Sequence, residues 1–190
     1  MNADHELRRL LANQEEGTRF VAGDPDEEVF HQDDLIELLP FGLSVSDESQ
    51  RPFLLFKDPT GQFTLPVALN PLEAGVALTQ SSHSVAPATP HRFTQMLLEA
   101  LGLEIKQAVF VQIKGAHQYL RVYLSGHPGV SSLKLRADEA MSLCLQLGVP
   151  LYATREFIRR SKVMAAEIEG LGGKMKARPE LFVKNHRFLM

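Results

Sequence analysis

Two β-forming runs, 53–57 (FLLFK) and 62–69 (QFTLPVAL), flank Asp58-Pro59-Thr60-Gly61 and lead without a linker into Asn70-Pro71-Leu72-Glu73. Asp, Pro and Gly at the first, second and fourth positions fit a type I turn, so the runs form an antiparallel hairpin. Asn70 then suits an N-cap, Pro71 the first helical position, and Glu73 the third position of a capping box. A hairpin that feeds straight into a capped helix, running to about Thr79, excludes both a helical bundle and a doubly wound parallel sheet.

The rest of the chain repeats this alternation. Phe41, Leu43 and Val45 alternate with Gly42 and Ser44, as in a strand, with Pro40 marking an edge or bend. Phe93, Met96, Leu97, Ala100 and Leu101 fall at i, i+3, i+4, i+7 and i+8, one apolar helical stripe that Gly102 ends. Residues 104–113 and 117–124 are β-branched and aromatic and read as a second hairpin around Lys114-Gly115-Ala116. A short strand, 130–135, precedes a second stripe of Ala137, Ala140, Met141, Cys144 and Leu145, closed by Gly148 and Pro150. A brief strand, Val149 to Ala153, leads to Thr154, an N-cap for a helix carrying Phe157, Ser161, Met164, Ala165 and Ile168. The expected class is α+β: a mixed, largely antiparallel sheet built from hairpins with interspersed helices, around a single core.

Hydrophobic residues make up 44% and charged residues 23% of the 190, which is globular rather than disordered composition. The net charge of -3 conceals a gradient. Residues 1–50 carry 13 acids against Arg8, Arg9 and Arg19, whereas residues 155–190 carry nine bases against four acids. The expected division is an acidic extension over 1–32, a core domain over 33–160, and the end of the last helix with a basic tail over 161–190. Bases and aromatics interleave in that tail, from Lys174 to Met190, a composition that suits single-stranded nucleic acid or a partner subunit. Cys144 is the single cysteine, which excludes an intrachain disulfide and any cysteine-based zinc site. No apolar run reaches the length of a membrane span or of a signal peptide, so a cytoplasmic protein with no membrane partner is expected. Strongly apolar hairpins with few helices to cover them lead us to expect a homodimer.

No phosphate-binding glycine loop, dinucleotide fingerprint, zinc-protease helix or nucleophile elbow is present, and no two histidines fall at i, i+4. Cys144 lies on an apolar stripe, as a small core residue does. Three blocks carry more information: LPVALNPLEAGVAL (65–78), PHRFTQMLLEAL (90–101) and LKLRADEAMSLCLQLGVPLYATREFI (133–158). In order and spacing they resemble the bifunctional nuclease family, a bacterial domain of about 120–130 residues with plant relatives described as acting on RNA and DNA. The resemblance covers about residues 34–160. Leu65-Pro66-Val67 and Glu73-Ala74 match one family stretch. Of an Arg-Pro-x-Thr-His-Asp segment only Thr94 remains. The family hallmark Asp-x-Arg-Pro-Ser-Asp-Ala reads here Lys134-Leu135-Arg136-Ala137-Asp138-Glu139-Ala140, keeping the arginine and the last alanine.

The resemblance implies a nuclease or phosphodiesterase with Glu73, Arg136, Asp138 and Glu139 around one cleft, and Thr94, Lys134 and Arg136 toward nucleic acid. Phosphodiester hydrolysis generally uses a metal-activated water, and Glu73, Asp138 and Glu139 are the carboxylates placed to hold a divalent ion. The altered hallmark keeps the alternative open: a non-catalytic module of the same fold that binds a ligand, nucleic acid or protein. The same residues also have structural readings. Glu73 fits a capping box on Asn70, Asp138 and Glu139 sit in a helix's first turn where its dipole favours anions, and Arg136 can pair with Glu73 or Asp138.

Overall fold

A computed structural model describes residues 32–45, 50–81 and 90–168. The acidic extension up to residue 31 and the basic tail from residue 169 lie outside the described residues, as does the loop 82–89. The strands are β1 (Leu35–Val45), β2 (Pro52–Lys57), β3 (Thr64–Ala68), β4 (Glu104–Lys114), β5 (His117–Ser125), β6 (Ser132–Arg136) and β7 (Leu151–Thr154). The helices are α1 (Pro71–Ser81), α2 (Arg92–Ala100), α3 (Ala137–Gln146) and α4 (Arg155–Ile168). The seven strands form one sheet in the order β3-β2-β1-β7-β4-β5-β6, antiparallel at every neighbour except β4 and β7, which are parallel. This is the mixed, largely antiparallel α+β fold that the hairpin-and-helix alternation predicts. No helix among the described residues is long and apolar enough to cross a membrane.

Local chemistry accounts for the joints. The Asp58 carboxylate accepts the Thr60 and Phe63 N–H groups at 3.1 and 2.6 Å, and Gly61 N–H closes the turn on Asp58 O at 2.9 Å. The β4–β5 hairpin turns on Gly115 and Ala116, with Gly115 at φ 59° as a two-residue loop requires. Both α2 and α3 end in a glycine at positive φ, followed by a 6→1 bond: Leu103 N–H to Leu98 O and Val149 N–H to Cys144 O, each 2.9 Å. Thr154 Oγ1 accepts Phe157 N–H at 3.1 Å, the N-cap that opens α4.

The main core gathers Leu54, Phe56, Phe110 and Leu120 from the sheet with Met141 and Cys144 of α3 and Phe157 of α4. Phe110 sits between Phe56 and Phe157, ring centroids 6.4 and 5.5 Å away. A smaller cluster joins Phe53, Leu55 and Ala68 to Met164 and Ala165, so packing continues along α4 beyond residue 160. Gln118 draws the sheet round on itself. From β5 its side chain donates to Pro66 O at 2.8 Å and accepts Ala68 N–H at 3.0 Å, both on edge strand β3. It also donates to Ser161 Oγ of α4 at 3.0 Å.

The apolar stripe of α2 does not enter the core. Phe93, Met96, Leu97 and Leu101 are 75%, 57%, 46% and 60% exposed, and α2 has no buried residue. Its half-buried positions are instead Thr94, Gln95 and Leu98, and Gln95 accepts a bond from Gln146 of α3 at 3.2 Å. The helix meets the domain through its more polar side.

Candidate functional site

The start of α1 and the start of α3 face each other, which brings most of the predicted site residues into one region. Asn70 caps α1 as its sequence implies, accepting Glu73 N–H on Oδ1 at 2.8 Å. The reciprocal half of the capping box is replaced by a longer-range bond. The Glu73 carboxylate reaches across to α3 and accepts Ser142 N–H at 2.6 Å. Asn70 Nδ2 meanwhile donates to Asp138 O at 3.0 Å. Ser142 N–H and Asp138 C=O are one helical turn apart, the pair that an α-helix joins to itself. Both take side chains from α1, so Asn70 and Glu73 stitch the two helices together.

Arg136 is the last residue of β6 and the N-cap of α3. Its guanidinium forks onto Asp138, with Nε 2.9 Å from Oδ1 and Nη2 2.5 Å from Oδ2, while Glu139 Oε1 lies 3.7 Å from Nε. The bond to Asp138 first, then the charges of Asp138, Glu139 and Tyr119, hold the Arg136 pKa above its ordinary value against partial burial. Asp138 is buried and Glu139 is exposed. His117 Nδ1 stands 3.8 Å from Asp138 Oδ2 without a hydrogen-bond partner.

Thr94 and Lys134 lie elsewhere. Thr94 is half-buried on α2, whereas Lys134 sits on β6 opposite Arg121 of β5. Glu73 and Asp138 meet as parts of one network, but their oxygens are directed at Ser142 N–H and at Arg136. Glu139, the third carboxylate of the expected ion site, is exposed beside Arg136. Among the described residues no three His, Cys, Asp or Glu side chains group as a metal-ligand set.

Sequence reasoning did not single out Ser142 or His91, whose Oγ and Nε2 share a 2.5 Å hydrogen bond tying the start of α2 to α3. Ser142 is fully buried, which makes it a strut rather than a nucleophile. Burial first, then the charge of Glu73, pushes the Cys144 thiol up to about 12, in keeping with a core role. Polar positions at a helix's buried face were the available signal: Ser142 falls between Met141 and Cys144. No protein-family model matches the chain, and no curated protein matches it.

If Glu73 is a strut, Glu73→Ala will destabilise the domain by about 2 kcal/mol, since it removes the buried carboxylate that ties α1 to Ser142 N–H of α3. Glu73→Gln, which keeps an oxygen for Ser142 N–H, will cost less than half of that. Urea melts of the two variants check the order.

Proposed function

We propose that this domain binds single-stranded nucleic acid on the outer face of β4, β5 and β6, without hydrolysing it. The observation that carries this reading is the placement of the tyrosines. The chain has three, and all lie on one face of the sheet. Side chains of β5 alternate: Leu120 and Val122 enter the core beneath α3, while Tyr119, Arg121 and Tyr123 take the opposite face. Partners in register share a face, which adds Arg136 beside Tyr119, Lys134 beside Arg121 and Ser132 beside Tyr123. On the other side Val109 pairs with both Arg121 and Tyr152 of β7.

Half-buried tyrosines offer rigid flat surfaces on which bases stack with little regard for sequence, and the half-buried Lys134 and Arg136 on β6 meet the phosphates, whereas Arg121 is buried and donates to Ser132 Oγ at 3.1 Å. Tyr119 and Tyr123, four residues apart on one strand, stand roughly 13 Å from each other. Support for binding without cleavage comes from the carboxylates: Glu73 and Asp138 are engaged inside the protein, and Arg136 is forked onto Asp138.

The test is fluorescence anisotropy with a labelled single-stranded oligonucleotide and the full chain. Tyr119→Ala combined with Tyr123→Ala should weaken binding at least tenfold, given about 1–3 kcal/mol per stacked base. Lys134→Glu should weaken it and flatten its salt dependence by about one ion. Affinity unchanged in both variants would overturn the proposal. Metal-dependent cleavage that disappears in Arg136→Ala would overturn its non-catalytic half and restore the nuclease reading.

A further inference from the structure

We infer that the outward apolar stripe of α2 seats a second copy of this chain, in an antiparallel pairing of α2 with α2 of the partner. This surface is separate from the proposed nucleic-acid face. The helix is turned with its apolar side to solvent: Phe93, Met96, Leu97 and Leu101 lie between 46% and 75% exposed, while the side toward α3 is held by hydrogen bonds from His91 and Gln95. An amphipathic helix oriented this way leaves a contiguous apolar patch, which marks an interaction surface. The side toward α3 is already fixed, so rotating the helix to bury the stripe would break those bonds.

The charges flanking the stripe say what covers it. In the heptad that puts Phe93 and Ala100 at one core position and Met96 at the other, Arg92 and Glu99 occupy the same flanking position one heptad apart. When two such helices pack antiparallel about a two-fold axis near Gln95 and Met96, like flanking positions face each other. Arg92 of each copy then meets Glu99 of the other, twice by symmetry. In a parallel pairing each such position faces the opposite flank of the partner helix, so Arg92 would instead meet Leu97 and find no opposite charge. The stripe is thus self-complementary in shape and charge, the property an isologous contact requires. Phe93 of one copy packs beside Met96 of the other, one core position against the other.

Light scattering on the full chain tests this. The expected mass is twice the 21.2 kDa of one chain. Phe93→Asp or Met96→Asp should return the single-chain mass with an unchanged circular dichroism spectrum, because neither side chain reaches the core. Arg92→Glu alone and Glu99→Arg alone should each weaken dimerisation about fivefold. The double variant, which restores opposite charges across the axis, should recover wild-type affinity. A single-chain mass at all concentrations would overturn the inference, as would a dimer indifferent to Phe93→Asp. A double charge exchange that fails to recover the dimer would also overturn it, pointing to a different pairing or to another protein on α2.

Discussion

Replacing Gln118 with leucine will lower the stability of the fold by about 3 kcal/mol, a fall in Tm of roughly 6–12 °C for a domain of this size. The side chain is 2% exposed and uses its whole amide. Its oxygen takes Ala68 N–H, and its nitrogen serves Pro66 O and Ser161 Oγ. Pro66 and Ala68 belong to β3, whose outer edge has no strand beside it among the described residues. The glutamine amide therefore does for that edge what a peptide of a neighbouring strand would do. Leucine fills a similar volume, so the loss reports the stranded N–H and C=O rather than a cavity. Ser161→Ala removes only the third bond and should cost about 1 kcal/mol. Urea unfolding of the two variants checks both values, and a Gln118→Leu protein as stable as wild type would show that β3 is held by packing alone.

Gln118 also marks where the sequence stops being legible. The alternation in HQYLRVYL shows a strand with one buried side, and Gln118 sits on that side, where a polar residue looks out of place. Its partners lie 50 and 52 residues earlier, on a strand whose edge position follows from sheet order alone. Hairpins, helix caps and glycine stops could be read because each is a bargain between residues fewer than six apart. Thr154, Asn70 and Asp58 all act within that range. Sheet order could not be read, since β7 inserts between β1 and β4 although it comes last among the strands.

The candidate site divides along the same line. Glu73, Arg136 and Asp138 do come together, because Asn70 and Glu73 at the start of α1 bond across to α3. Which bond each would make was open in the sequence: Glu73 had an acceptor role ready at its own helix start and took one on α3 instead. The stripe of α2 carried the opposite lesson. Its period was correct and its direction was not fixed by it, for periodicity shows that one side of a helix is apolar without showing what lies against that side. Two polar residues facing α3, His91 and Gln95, fix the orientation.

The second large effect is expected at Gly126, which follows β5 at φ 98°. A Cβ there would lie 2.0 Å from the carbonyl oxygen of Gly102 and 2.9 Å from its carbon. Both neighbours are backbone, and Gly102 is itself fixed as the αL cap that ends α2, so neither side can yield cheaply. Gly126→Ala must therefore move the β5–β6 connection away from the end of α2, adding a displaced contact to a backbone conformation that alanine resists. The two terms together come to about 3–4 kcal/mol. Two other glycines separate them. Gly115 has φ 59° with open space around it, so Gly115→Ala reports the conformational penalty alone, about 1–2 kcal/mol. Gly129 has neither a positive φ nor a close neighbour, its nearest contact being a His127 ring carbon at 3.5 Å, and Gly129→Ala should be nearly silent. Measured by urea denaturation, the order should be Gly126, then Gly115, then Gly129. If Gly126→Ala costs no more than Gly115→Ala, the connection after β5 is free to move, and the end of α2 is not anchored by it.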